Sequence, residues 1–170
     1  MELIRGIYNL RPGHRGCVAT IGNFDGVHLG HKEMVRRVMR KADDLGLPSL
    51  VITFEPQPAE FFKPEKAPAR LSSVREKAEY LRALGVDRLL VLKFDEALSS
   101  MTPEQFVEKV LVEKLRIRAL IIGDDFRFGK RRGGGAEGLR DLAKRHGFEI
   151  LQQPSYLVFG KRISSTAIRG

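Results

Sequence analysis

The chain has 170 residues, of which 42% are hydrophobic and 30% are charged, and these values predict one compact domain. They exclude wholesale disorder, and no apolar run reaches the roughly 20 residues of a membrane span. A net charge of +9 predicts an anionic partner. The single cysteine, Cys17, excludes an intramolecular disulfide, and the first residues show no signal peptide. Both features favour a reducing cytoplasm.

Segments of strand-forming residues alternate along the chain with segments of helical periodicity. The first predicted strand, Cys17–Ile21, ends at Gly22. The helix predicted over Leu29–Leu45 has apolar residues three and four positions apart. Gly46 predicts the end of this helix, and a second strand is predicted over residues 50–54.

The second half of the chain continues the same alternation. A capping box at residues 73–76 predicts a helix that ends near Gly85, and a strand follows over residues 89–92. Thr102 with Pro103 predicts the start of another helix. The remaining predicted elements are a strand over residues 120–122, a helix over Ala136–His146 and a strand over residues 149–151.

The regular alternation of strands and helices predicts an α/β fold. We expect a Rossmann-like, doubly wound parallel sheet of about five strands, with helices on both faces and residues 1–170 forming a single domain. In such sheets the ligand binds beyond the carboxyl ends of the strands. The irregular segments after the first, second and fourth predicted strands are therefore the expected site.

The segment after the first strand contains two histidines at the mouth of the predicted helix. His28 and His31 are three residues apart and share a face, with Gly30 between them. The helix start offers free N–H groups and a positive dipole end, which together favour an anion. A zinc site would need four-residue spacing and a third ligand, and the segment offers neither.

Two further segments favour binding of a phosphorylated, planar ligand. Phe126 and Phe128 flank Arg127 after the fourth strand, which suits an aromatic ring system with a charged tail. Near the end of the sequence, a run of hydroxyl residues precedes Arg169 and suits phosphate oxygens. The basic run Lys130, Arg131 and Arg132 is either a loop that closes over phosphates or a solvated surface.

The residues 22–31, 123–129 and 163–169 together resemble three motifs of the prokaryotic FAD synthetases, the bifunctional riboflavin kinase/FMN adenylyltransferases. The first resembles the nucleotidyltransferase signature with its His-x-Gly-His core. The resemblance implies a nucleotidyltransferase fold that transfers AMP from ATP to FMN and releases FAD and pyrophosphate. Family members usually carry a second, β-barrel riboflavin kinase module, which this sequence does not include, so no riboflavin phosphorylation is expected.

The resemblance also implies roles for individual residues. The catalytic group comprises His28, His31 and Arg169. The residues expected to bind ATP are Gly22, Asn23, Phe24, Asp25, His28, Gly30, His31, Ser164, Ser165, Thr166 and Arg169. The residues expected to bind FMN are Pro56, Gln57, Pro58, Asp124, Asp125, Phe126, Arg127 and Phe128. The family usually has histidine where this chain has Gln57, which puts an acid/base role there in doubt.

The expected partners are small molecules, with neither nucleic acid nor membrane among them. Mg²⁺ is expected as a cofactor held mainly by substrate phosphates, and FMN and FAD as substrate and product. Two alternatives stay open: a nucleotidyltransferase with another phosphorylated acceptor, and a non-catalytic basic RNA-binding module. His14 and His146 are expected at the surface without clustered partners, and Cys17 is expected to pack rather than react.

Overall fold

The computed structural model describes residues 1–22, 29–55, 74–93, 95–123, 136–153, 157–158 and 161–162. In these ranges the main feature is a six-stranded sheet in which every neighbouring pair is parallel. Its order is β1-β4-β3-β2-β5-β6. The strands are β1 (Glu2–Arg5), β2 (Cys17–Ile21), β3 (Ser49–Phe54), β4 (Arg88–Leu92), β5 (Ile117–Gly123) and β6 (Glu149–Gln153). A separate antiparallel pair joins β7 (Leu157–Val158) and β8 (Lys161–Arg162).

Helices connect the strands of the parallel sheet. They are α1 (Leu29–Leu45), α2 (Val74–Leu84), α3 (Glu96–Ser99), α4 (Pro103–Phe106), which continues as a π-helix over Val107–Lys114, and α5 (Ala136–His146). Thr102 caps α4 as predicted, because its Oγ1 accepts a hydrogen bond from the Gln105 N–H at 3.1 Å. Two short 3₁₀ turns, Ile7–Asn9 and Pro12–His14, follow β1.

The helices cover both faces of the sheet. On one face α1 and α2 bury apolar side chains against alternate strand residues such as Val51 and Ile121. On the other face α3, α4, the π-helix and α5 pack against the intervening residues, among them Leu90 and Leu120. Strands covered on both faces are apolar throughout, and β2 is fully buried along its length. The predicted doubly wound α/β fold is confirmed.

Glycines end the long helices where the sequence predicts. Gly46 follows α1 with φ 65° and Gly85 follows α2 with φ 98°, both in the left-handed region. The next residue in each case donates its N–H back to the last helical turn, from Leu47 to Ala42 at 2.9 Å and from Val86 to Leu81 at 3.1 Å. This closure satisfies carbonyls of the final turn and directs the chain into the next strand.

The structure adds one parallel strand to the five that were predicted. β1 has four residues and pairs only with β4, at the edge of the sheet. Its side chains are exposed except for Ile4. Because one buried residue gives no detectable alternation, the sequence pattern does not reveal this strand.

The predicted surface position of His14 is wrong, and the reason is the same strand. β1 places Glu2 beside His14, whose Nε2 lies 3.0 Å from Glu2 Oε2 and whose Nδ1 accepts the Arg11 N–H at 2.9 Å. His14 is therefore buried, and this hydrogen bond is the main cause that lowers the pKa of Glu2. His146 is also less exposed than predicted, and its Nε2 lies 3.7 Å from Glu108 Oε1.

The fold yields a prediction about two exposed glycines that differ in backbone conformation. Gly46→Ala should lower the free energy of unfolding by about 1–2 kcal/mol, because alanine is strained at positive φ. Nothing lies within 4 Å of an added Cβ at Gly46, so the loss of stability measures backbone strain without any steric clash. Urea denaturation at 25 °C measures it.

Gly138→Ala is the matched control for this prediction. Gly138 lies inside α5 and also has nothing within 4 Å of an added Cβ. Alanine there should raise the free energy of unfolding by about 0.5–1 kcal/mol, since it restricts the unfolded chain and favours the helix. A shift of both variants in the same direction would contradict the assigned backbone conformations.

Candidate active site at the carboxyl edge of the sheet

The order of the strands reverses direction at β2. From β2 the chain adds β3 and then β4 on one side, and it later returns to add β5 and β6 on the other side. Neighbouring connections therefore diverge at the carboxyl ends of β2 and β5, which is where ligands bind in doubly wound sheets. The segments 23–28 and 124–135 begin where these two strands end.

Helix α1 begins directly above this reversal point. It starts at Leu29, so the backbone of Gly30 and His31 forms part of its first turn. The predicted placement of these two residues at the start of the helix is confirmed. The free N–H groups of the first turn and the positive end of the helix dipole favour a bound anion at this place.

The described residues hold the end of β2 firmly in the sheet. The Gly22 N–H donates to the carbonyl of Ile52 at 3.0 Å, which continues the β2–β3 ladder one residue beyond the strand. Thr20 is fully buried, and its hydroxyl donates to Met34 Sδ at 3.2 Å. The chain is therefore fixed before the segment 23–28, where Gly22 bonds to β3, and Thr20 links β2 to α1, which follows that segment.

A second link joins α1 to the carboxyl end of β6. Arg37 donates from Nη1 to the backbone oxygen of Gln152 at 3.3 Å, and Arg140 of α5 donates from Nη2 to Gln152 Oε1 at 2.9 Å. Two helices from opposite faces of the sheet therefore meet at one residue. Sequence reasoning missed these side chains, since an arginine on a polar helix face carries no signal of its partner.

Most of the predicted site residues lie outside the described part of the chain. Gly22 is described, and Gly30 and His31 are described as backbone. The others are Asn23, Phe24, Asp25, His28, Pro56, Gln57, Pro58, Asp124, Asp125, Phe126, Arg127, Phe128, Ser164, Ser165, Thr166 and Arg169, with the basic run Lys130, Arg131 and Arg132. The segments that carry most of them follow the carboxyl ends of β2, β3 and β5, and the segment 163–170 follows β8.

Cys17 lies away from this edge, at the amino end of β2. Its side chain is completely buried, and burial raises the pKa of the thiol to about 12. A thiol of this kind carries almost no thiolate at neutral pH, so it cannot act as a nucleophile. The predicted packing role is confirmed.

Metal-ligand clusters and membrane-spanning helices are both absent from the part of the chain that the structure describes. No group of three His, Cys, Asp or Glu side chains comes together there as a metal site. None of the described helices combines the length and the apolar character that crossing a bilayer requires.

The doubly wound parallel sheet, with a glycine- and histidine-bearing segment at its reversal point, defines the α/β class with a nucleotidyltransferase-like fold. The family model described as FAD synthetase matches residues 10–167, which is almost the whole chain. The chain belongs to the FAD synthetase family.

Relatives in bacteria agree with this assignment. The chain is 48% identical to a bifunctional riboflavin kinase/FMN adenylyltransferase of Pseudomonas fluorescens, over 99% of this chain and 54% of that protein. It is 45% identical to the protein of the same description in Escherichia coli K12, with the same shares covered. The chain thus spans about half the length of the curated relatives that it matches.

A solved structure matches the fold over the same extent. A crystal structure described as a macrolide-efflux protein from Streptococcus pneumoniae superposes with a TM-score of 0.84 at 26% sequence identity. The match covers 99% of this chain and 55% of that one. The arrangement of sheet and helices is therefore shared with a solved structure about twice as long.

Burial of Cys17 predicts that the native thiol resists modification. With the pKa at about 12, the thiolate fraction at pH 8 is about 10⁻⁴, so reaction with a disulfide reagent should be about 10³-fold slower than in the unfolded protein. Absorbance of the released thiol measures both rates, and guanidinium-unfolded protein is the control. Equal rates in native and unfolded protein would contradict the burial.

Proposed function

We propose that this chain is an FMN adenylyltransferase that transfers AMP from ATP to FMN, giving FAD and pyrophosphate. The observation that carries the proposal is the histidine motif, which ends in the first turn of α1 at the reversal point of the sheet. The matched relatives are named for two activities, riboflavin kinase and FMN adenylyltransferase. Of these two activities, a doubly wound parallel sheet with a His-x-Gly-His motif suits FMN adenylyl transfer.

The reaction is a direct displacement at phosphorus. A phosphate oxygen of FMN attacks the α-phosphorus of ATP, the bond from that phosphorus to the bridging oxygen breaks, and pyrophosphate leaves with the electron pair. The FMN phosphate is already ionised at neutral pH, so the step needs no general base. Catalysis then consists of aligning two anions and stabilising the charge that develops on the leaving group.

The first turn of α1 supplies part of that stabilisation. His28 and His31 donate hydrogen bonds to the triphosphate, beside the N–H groups of the helix start. The proposed role of the hydroxyls of Ser164, Ser165 and Thr166 and of the guanidinium of Arg169 is to hold the β- and γ-phosphates. Asp25 orients the histidine segment.

The FMN side of the site draws on the segments after β3 and β5. The proposed role of Phe126 and Phe128 is to supply aromatic surface for the flavin ring, and that of Arg127 is to neutralise the phosphate. Asp124 and Asp125 follow β5 directly, while Pro56, Gln57 and Pro58 follow β3. Gln57 supplies a polar contact in place of the family's usual histidine.

Mg²⁺ is proposed as a partner of the substrate phosphates. Mg²⁺ usually keeps several waters and binds through substrate phosphates with one or two carboxylates, which suits the two phosphorylated substrates proposed here. The ion supplies charge neutralisation when bound. The single buried cysteine fits a cytoplasmic enzyme.

The proposal predicts formation of FAD when the purified chain is incubated with FMN, ATP and MgCl₂, measured by chromatography. Pantetheine phosphate and nicotinate mononucleotide, in place of FMN, should give no adenylylated product. ATP with riboflavin should give no FMN. Adenylyl transfer to another acceptor, or binding of RNA without FAD formation, would contradict the proposal.

A variant of the histidine motif tests the mechanism. His31→Ala should lower kcat by about 10²-fold or more, because it removes a preorganised donor to the triphosphate. Arg40→Ala is the matched control, since Arg40 is an exposed residue of the same helix, more than two turns from His31. Unchanged turnover in His31→Ala would remove this histidine from the mechanism.

A further inference from the structure

The structure holds a cavity at the amino ends of the strands, the edge of the sheet opposite the proposed active site. Its volume is about 570 Å³, and it lies where the π-helix and α5 end and β5 begins. It is open to solvent, and the side chains of Arg15, Glu113, Arg116 and Arg118 in its lining are exposed. Its lining residues are Arg15, Val112, Glu113, Arg116, Ile117, Arg118, His146 and Gly147. We call it the amino-edge cavity.

Three guanidinium groups border the amino-edge cavity. Within the described ranges no hydrogen bond or ion pair engages the guanidinium of Arg15, Arg116 or Arg118. Elsewhere on the protein, Arg36 and Arg75 each face a carboxylate. The carboxylate in the cavity lining, that of Glu113, forms no ion pair with the three arginines. The cavity therefore concentrates positive charge that the described residues leave uncompensated.

The backbone holds two of these arginines side by side. The Gly16 N–H donates to the carbonyl of Leu115 at 2.8 Å, which joins the residue after Arg15 to the residue before Arg116. Arg116 has φ 46° and is the one non-glycine residue of the described chain with positive φ. Arg116 follows the C-cap residue of the π-helix, and its N–H donates to the carbonyl of Val112 at 3.0 Å, so its left-handed conformation closes this helix as glycine closes α1.

His146 adds a fourth polar group to the amino-edge cavity. Its Nε2 atom is buried and makes no hydrogen bond with the described residues. The carboxylate of Glu108 lies beyond hydrogen-bonding distance, at 3.7 Å. Glu108 still lies within ion-pair distance of this nitrogen, and it is not among the lining residues of the cavity.

We propose that the amino-edge cavity is a second anion site that binds a small ligand with two or more linked phosphate groups. Each planar guanidinium presents two parallel N–H groups that match two oxygens of a phosphate. Three guanidinium groups paired in this way match six oxygens, more than the four that a single phosphate has. The site is separate from the proposed active site at the carboxyl edge, so it can be occupied while the active site is empty.

The test is a titration of the ¹⁵N-labelled full chain with pyrophosphate, followed by the amide signals of Ile117 and Gly147. Both signals should shift and saturate. Arg118→Gln should weaken the apparent affinity at these two amides by about 10-fold, because it removes one charge-assisted hydrogen-bond pair. Inorganic phosphate in place of pyrophosphate should bind more weakly. Equal affinities for the two probes would overturn the assignment of a linked-phosphate ligand.

Two further variants separate specific binding from general charge attraction and from misfolding. Arg82→Gln removes the same charge from an exposed position of α2, on the other face of the sheet, and should leave the affinity unchanged. Arg116→Gly should weaken binding while it maintains or raises Tm, since glycine accepts the positive φ. Absent shifts at Ile117 and Gly147, or an equal loss in Arg82→Gln and Arg118→Gln, would refute the site. The readout does not depend on FAD formation, so its failure leaves the proposed activity untouched.

Discussion

The parallel pairing of β2 with β3 on one side and β5 on the other determines the rest of the molecule. A strand with neighbours on both edges and helices on both faces has no contact with water, and β2 is buried at every residue. Its backbone groups are satisfied only if both ladders form. The chain must then leave β2 in one direction and return to it from the other, and ligands bind at this reversal in such sheets.

Much of this arrangement could be predicted from the sequence, because long helices and buried strands have strong local patterns. Predicted and observed bounds agree for β2, for α1 and for α5, and the glycines that end the helices have the expected backbone conformation. β1 could not be found, since one buried side chain gives no alternation. The π-helical hydrogen bonding after α4 was also not visible, because a change from four- to five-residue hydrogen bonds leaves the apolar pattern almost unaltered.

The sequence predicts where in the fold the candidate site lies better than it predicts which side chains surround it. Glycine and histidine residues at a strand end have a recognisable spacing, which predicts the histidine motif at the start of a helix, and α1 begins at Leu29 as predicted. Arg37, Arg140 and Gln152 were missed, since their link joins residues that are distant in sequence. Local patterns cannot reveal contacts of this kind, which exist only once the sheet has formed.

The two ends of the sheet differ in how they use polar groups. At the amino ends, Ser49 and Asp87 exchange hydrogen bonds that join β3 to β4, and Glu2 holds β1 through His14. Polar side chains there are mostly satisfied within the protein and stabilise the fold. At the carboxyl ends, the strands lead into long segments rich in Gly, Pro and charged residues. The exposed arginines of the amino-edge cavity depart from this division, because they cluster without a partner among the described residues, and that clustering is the physical reason to expect an anionic ligand there.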